Sequence, residues 1–585
     1  MGTEHAAALT PPRESAAPWV EGSLLALLLL AVVTLGGDSL RTSYHGTLHT
    51  AIGESVLREG LTPENPYHAG EPLRYYLLYP LLGVLAGLTG IGPLWGFALL
   101  NLLAALLLGP ALDALGRNLG LTFRARRFAF LWTILGLNGL GWLWASVSGG
   151  PLLDLRSLDE PGPGPALGAI PLVLLQGMSE SPFGLTWDAR LQSFLPKFLN
   201  VSSFAPALPF TLWSMAYALR SEQRALWGAA AHLGVATALN PLAGALAAVL
   251  LALRNRGRLR QPLAAVRALG PPALLAALIA IPFLLPALHG GAAGEGGGSF
   301  ALTGDGPLAN LTGPLMLLWL LAGFGLRAFA RDRLFFLGAA LGLALLLGCA
   351  PLPWGNEYKF VRLGALLLAL PAGAASARLW ERLAGRVAVA ALLLLTLPTT
   401  WLTVRAYSAW SAEATLVLTR VVDGRLALGA DFAAVLPAAH QAAERALPKD
   451  AVLLADPFLN PTRTQSLVAL GHPLAPLIHR PLLVDRPQIH NEAAADLAQR
   501  LDAWVAFAFA STRPLTREER PQPADPHAGL AFLRACVPGR PLAVLVSTQQ
   551  QAARAALERA GAEPRAEAEG LQLWLLPPPP ATAGN

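Results

Sequence analysis

The chain is short of charge, lysine and cysteine. Asp, Glu, Lys and Arg make up 14% of its 585 residues, against roughly a quarter in soluble domains. Hydrophobic residues account for 54%, and the mean hydropathy is +0.47. A wholly soluble protein is thereby excluded, and a membrane protein with a smaller soluble part is predicted. The two cysteines, Cys349 and Cys536, stand far apart and make neither a disulfide framework nor a metal site. Of 43 basic residues only Lys197, Lys359 and Lys449 are lysines. This fits an arginine-favouring, GC-rich bacterial composition, in which a retained lysine offers a compact point charge that arginine does not. No convincing cleavage site follows the first apolar run, so Ser23–Gly36 reads as a retained span rather than a signal peptide. The formal charge of +6 and pI of about 9.6 come from arginines in short connections between apolar runs. They give orientation rather than a nucleic-acid footprint, and no nucleic-acid partner is expected.

About eleven apolar runs have the length of spans: 20–36, 93–115, 128–147, 203–219, 225–239, 241–253, 268–288, 313–329, 334–350, 360–377 and 387–405. The connections 116–127, 220–224, 254–267, 327–333 and 378–386 are arginine-rich and are expected in the cytoplasm. The outer loops 37–92, 148–202, 289–312 and 351–359 are longer or less basic, and they alternate with the basic set. The N-terminus, 1–19, is then cytoplasmic and the tail extracytoplasmic. The apolar stretch 75–90 is short for a crossing and is read as a helix in the outer membrane interface. Asn240-Pro241 breaks the long apolar segment 225–253 into two short spans. The span interiors read as nearly free of ionisable residues; His232 is an exception.

From about residue 410 the apolar runs shorten to strand length: 451–455, 504–510, 542–547 and 571–576, with helical stretches at 492–503 and 549–562. A soluble α/β domain over 410–576 is predicted, followed by a disordered Pro-rich end at 577–585. It carries no Gly-rich phosphate loop, nucleophile elbow or metal cluster. The fold class expected is therefore mainly α: a polytopic helical membrane domain over 20–409 with a C-terminal soluble α/β domain.

Chemistry-capable residues gather in the expected outer loops. The first loop opens on Asp38, a candidate base or metal ligand at the lipid–water boundary. His45 and His49, four apart, share one helical face, with Glu54 off that line. Two histidines need a third ligand to hold a metal, so a hydrogen-bonding interfacial face is the competing reading. Residues 179–204 carry Glu180, Asp188, Arg190 and Lys197, costly at membrane depth unless paired or facing water. In 351–363, Glu357, Lys359 and Arg362 straddle a span's start. The two cations can meet an anionic phosphate, or snorkel to lipid headgroups.

The layout of one span, a long first loop beginning with Asp38, and then PENPYHAGEPLRYYLLYPLLGVLAGLTGIGPLWGFALLNLLAAL (63–106) resembles polytopic membrane glycosyltransferases of the GT-C superfamily. The branch it is most similar to is a bacterial and archaeal one with a tyrosine-rich first loop. NEYKFVR (356–362) resembles its late Asn-x-x-x-Lys-Phe motif. The resemblance covers 20–405 in layout. It implies an inverting enzyme in the bacterial cytoplasmic membrane that moves a sugar from a polyprenyl-phosphate donor to a glycan, lipid or protein acceptor at the outer face. By position Asp38 is the catalytic carboxylate, and Lys359 and Arg362 hold the lipid phosphate. His45, His49, Glu54, Tyr75, Tyr76, Asp188, Lys197 and Glu357 are the further substrate-binding candidates. The loop departs from the pattern in lacking a second acid beside Asp38 and in having only Tyr75-Tyr76, so a divalent metal stays open. A transporter or flippase of lipid-linked precursors remains the alternative, which predicts functional acids inside spans. A non-catalytic envelope assembly protein is a third reading.

Overall fold

The structure is a computed structural model and describes residues 16–35, 44–89, 93–142, 193–199, 201–289, 314–349, 357–421, 447–455, 457, 475, 479–485, 494–513, 520–568 and 571–578. Among the described residues five helices are long and apolar enough to cross a membrane by length and composition: Trp95–Asn118, Pro262–Ala287, Arg331–Cys349, Tyr358–Leu379 and Leu383–Trp401. Ala17–Val32, Leu78–Gly87, Pro241–Arg254 and Met316–Ala328 are shorter apolar helices. Burial sorts them. The most apolar window of Tyr358–Leu379 is 100% buried, whereas those of Pro262–Ala287 and Leu383–Trp401 are 17% buried and present apolar side chains outward. A helix that is apolar all round needs neighbours or lipid on every side. Here helix Glu357–Leu379 is the central post, packed by helices Phe123–Leu135, Met316–Gly325 and Arg331–Cys349. Gly373 makes one of these approaches possible, because a Cβ there would collide with the backbone of Ala125 and Ala129.

The Asn240-Pro241 break is built as the sequence suggests. Helix Gln223–Leu239 ends at Asn240, which then caps helix Pro241–Arg254 by accepting the Ala243 N–H at 3.2 Å, with proline at the first helical position. Helix Leu78–Gly87 has 10 residues and so extends about 15 Å, half the roughly 30 Å hydrocarbon core; by itself it does not cross. Helix Leu383–Val421 has 39 residues and continues through the expected boundary near 410.

The C-terminal part forms a four-stranded sheet: β1 (Val452–Leu454), β2 (Leu542–Ser547), β3 (Glu563–Ala568) and β4 (Leu571–Leu576), in the order β1-β2-β4-β3. β1 and β2 are parallel, and β4 runs antiparallel to β2 and β3. Helices Leu497–Phe509, Pro526–Ala535 and Gln551–Arg559 pack with it. The run 504–510, expected as a strand, is instead the end of helix Leu497–Phe509. Its helical spacing buries Trp504 and Phe507 (0% exposed each) while Phe509 is left 51% exposed. In the membrane part, Asp113, inside helix Pro93–Asn118, is a buried ionisable residue and a further exception of the same kind as His232. Asp113 is bonded by Arg117 and Arg126 at 2.7 Å each and also by Arg127, which reaches Glu21 at 2.6 Å.

Candidate functional site

The polar first loop is not a free connection. Helix Tyr44–Glu59 starts it, and a tight turn follows in which Asn65 Oδ1 accepts the Tyr67 N–H at 3.0 Å and Glu64 bridges Pro72. The C-terminal domain then docks along the turn by main-chain bonds: Leu482 N–H to the Pro66 carbonyl and Ala69 N–H to the Leu482 carbonyl, both 2.8 Å. Leu482 also bridges Leu453 of β1, so the loop continues the domain's sheet. Beneath this seam, Leu48, Ile52, Val56, Tyr67, Leu73, Tyr75 and Leu77 share one core with Leu453, Leu482, Ala543, Leu573 and Leu575.

Charge fastens the same seam. Buried His68 meets Asp496 at 2.7 Å, and Arg500 holds Asp496 at 2.7 Å and the carbonyls of Ala69 and Leu483 at 2.7 Å. Arg540 pairs with Glu64 at 2.6 Å and His479 with Glu54 at 3.0 Å. Burial, aided by the Arg500 charge, pushes the His68 pKa below its ordinary value. Burial alone would raise Asp496, but the hydrogen bonds from His68 and Arg500 outweigh it and hold that carboxyl low.

Where the loop meets the helices, a polar junction forms. Tyr75 and Tyr76 stack at 4.3 Å, and the Tyr75 hydroxyl donates to that of Tyr76 at 3.1 Å. Tyr76 bonds Ser203 Oγ at 3.0 Å, and Asn240 Nδ2 donates to the same oxygen at 2.9 Å. The Asn240 amide orientation is fixed, because its oxygen must face the Ala243 N–H. Burial pushes the Tyr76 phenol up, opposed by its bonds to Ser203 and Tyr75, so it serves as a neutral donor or acceptor. Beside this chain, Lys197 Nζ donates to the Tyr358 hydroxyl at 2.7 Å and lies 4.5 Å from the Tyr358 ring centroid. Arg362, fully buried, donates to the carbonyls of Ser193 and, at 2.9 Å, Phe194. Asn101 Nδ2 donates to the Phe198 carbonyl at 3.1 Å. Arg362 and Asn101 thus pin both ends of the short segment that carries Lys197.

Of the expected site residues, Asp38 and Asp188 lie outside the described residues. His45 and Glu357 stand in helices Tyr44–Glu59 and Glu357–Leu379, with side chains likewise outside the description. His49 is buried among aromatic rings, edge-on to Tyr79 at 5.0 Å and 5.7 Å from Tyr75. Glu54 turns to the C-terminal domain rather than towards the Lys197 junction. Lys359 is half-buried beside Tyr358, whereas Arg362 spends its guanidinium on backbone carbonyls and does not present it with Lys359 as a surface pair. Sequence reasoning missed Ser203, Tyr358 and Asn101. Asn101 had a signal, a lone amide inside an apolar run; Ser203 and Tyr358 had none. His232 Nδ1–H donates to the Gly228 carbonyl at 2.7 Å and the ring stacks on Tyr217 at 5.3 Å, a packed rather than exposed setting. Among the described residues no three His, Cys, Asp or Glu side chains group to hold a metal.

These features define a mainly helical membrane protein with a small mixed sheet docked on its first loop. No known protein-family profile and no curated protein matches the chain. One solved structure that aligns with it is the crystal structure of ArnT from Cupriavidus metallidurans bound to undecaprenyl phosphate. The alignment covers 97% of this chain and 100% of that one, at 13% identity and a TM-score of 0.49. A likeness of that size assigns this chain neither an activity nor a residue.

Proposed function

We propose that this protein is a membrane glycosyltransferase that moves a sugar from a polyprenyl-phosphate donor to an acceptor at the outer face of the membrane. The reading rests on the GT-C resemblance of 63–106 and 356–362 together with one observation. Lys197 and Tyr358, from two separate sequence clusters, meet beside the Tyr76–Ser203–Asn240 chain. A departing lipid phosphate gathers negative charge, and a fixed ammonium among neutral hydroxyl donors suits it. In this reading Lys197 and Lys359 hold the phosphate, Tyr76 and Ser203 orient the sugar, and Asp38 deprotonates the acceptor. Arg362 acts as a positioning residue through the 193–199 segment. The docked C-terminal domain braces the loop that begins with Asp38 and offers the acceptor a surface on the extracytoplasmic side.

The test is envelope-glycan mass spectrometry of a deletion strain complemented with wild type, Asp38→Asn, Lys197→Ala or Lys359→Ala. Loss of one glycoconjugate with the variants, at normal membrane levels, supports the reading. Wild-type production by inserted Asp38→Asn and Lys359→Ala proteins would overturn it. A transporter would instead depend on an acid inside a span, and Asp113 is neutralised by three arginines. Asp113→Asn is therefore expected to alter stability rather than the product.

A further inference from the structure

A cavity lies where helix Pro241–Arg254 ends and helix Arg331–Cys349 begins, and none of the polar-junction residues lines it. It has a volume of about 630 Å³ and is lined by Arg254, Arg256 and Arg331 together with Leu250, Leu253 and Phe335. Two connections distant in sequence, 254–267 and 327–333, supply its three guanidiniums. Sequence alone gives each an orienting role; the fold brings them around one hollow.

The charges do not cancel. Asp332 is the single carboxylate in the lining, against three arginines. Among the described residues none of the three arginines makes an ion pair. The Arg256 guanidinium lies 4.6 Å from the Phe335 ring centroid, which holds it against the wall without using its N–H donors. The floor is apolar, with Leu250 fully buried and Phe336 5% exposed. The rim is apolar as well and open: Phe335 is 52% and Leu253 38% exposed. The hollow therefore offers convergent donors for a phosphate with an apolar margin alongside, at the ends of two apolar helices where headgroups lie.

The geometry points to a binding site for the phosphate headgroup of an anionic phospholipid, with its acyl chains along Leu253 and Phe335. A free phosphate would use the arginines but gain nothing from the apolar rim. A zwitterionic lipid would use the rim, but its own ammonium would oppose the excess positive charge.

The test uses the detergent-solubilised full-length protein and native mass spectrometry. The probes are dioctanoyl-phosphatidylglycerol, dioctanoyl-phosphatidylcholine and inorganic phosphate. The expected result is preferential retention of phosphatidylglycerol, weakened on the order of fivefold for each of Arg254→Ala, Arg256→Ala and Arg331→Ala. Arg382→Ala/Arg386→Ala, in the basic connection 378–386 that does not line the cavity, should retain the lipid as wild type does. Equal retention of phosphatidylcholine, displacement of the lipid by equimolar inorganic phosphate, or equal loss in the Arg382/Arg386 variant would each overturn the assignment. If a single alanine variant does not fold, Arg331→Gln and Arg256→Gln report the same loss with more of the stem kept.

Discussion

Replacing Arg500 with alanine should release the C-terminal domain from the first loop. Arg500 is 3% exposed and makes three bonds of 2.7 Å, to Asp496 and to the carbonyls of Ala69 and Leu483. Hydrogen bonds from a charged donor contribute about 1.5–3 kcal/mol each, and truncation leaves two carbonyls to find other partners. The Asp496 side chain is 30% exposed, so water takes over much of its share and that bond is discounted. Only the Ala69 bond crosses to the loop, since Asp496 and Leu483 belong to the same domain as Arg500, so docking is weakened by about 2 kcal/mol, which raises the population of the undocked state roughly 30-fold. Native-state hydrogen exchange reads this directly at the Ala69 and Leu482 amides, whose bonds close the seam. Arg500→Lys, which keeps the charge but loses the planar fork, should fall between the two. If Ala69 and Leu482 exchange at the wild-type rate in a folded Arg500→Ala protein, the seam does not depend on Arg500 and the reasoning fails.

Acidification should loosen the same seam. Buried His68 has a pKa below its ordinary 6.5, so as pH falls below that value the undocked state takes up a proton that the docked state resists. The stabilisation is complete above 6.5 and is lost as pH drops towards the buried value. Asp496, held below its ordinary 3.8, acts in the same direction at still lower pH. His68→Gln should flatten the first part of that profile in the same exchange experiment. Asn240→Ala removes a helix cap and leaves Ser203 without its amide donor, a loss of about 2–3 kcal/mol visible as a lower thermal midpoint, with Asn240→Ser partly restoring the cap. Gly373→Ala places a Cβ against the backbone of Ala125 and should cost roughly 1–3 kcal/mol, read by thermal denaturation in detergent; an unchanged midpoint would show that the two helices can separate without penalty.

Much of the helical layer was legible because membrane helices are long apolar runs and Asn-Pro is a local break. In the C-terminal domain, β1, β2 and β4 are short, largely apolar runs, broken only by Gln572 and ended by Ser547, and could be read as strands. β3, Glu-Pro-Arg-Ala-Glu-Ala, is a polar strand paired on one side only, so nothing in its composition marks it. The run Trp504–Ala510 misled because a short apolar stretch does not distinguish two-residue from 3.6-residue periodicity. The site was harder. Lys197 and Tyr358 stood out neither as a pair nor as partners of Arg362, since their meeting depends on how helices pack 161 residues apart in sequence. Glu54 stood as a substrate-binding candidate because the sequence gives no sign that a domain docks over it and pairs it with His479.

The sheet that carries the first loop has consequences for biogenesis. Leu482 cannot bind Pro66 and Ala69 until the ribosome has made both, and β2 is not flanked on both sides until β4, residues 571–576, has been translated. The loop that follows helix Ala17–Leu35 must therefore wait, through insertion of the later apolar helices described above, for residues 571–576. A translation product stopped between Val421 and Leu571 would contain the apolar helices described above and still lack the completed sheet that braces the loop.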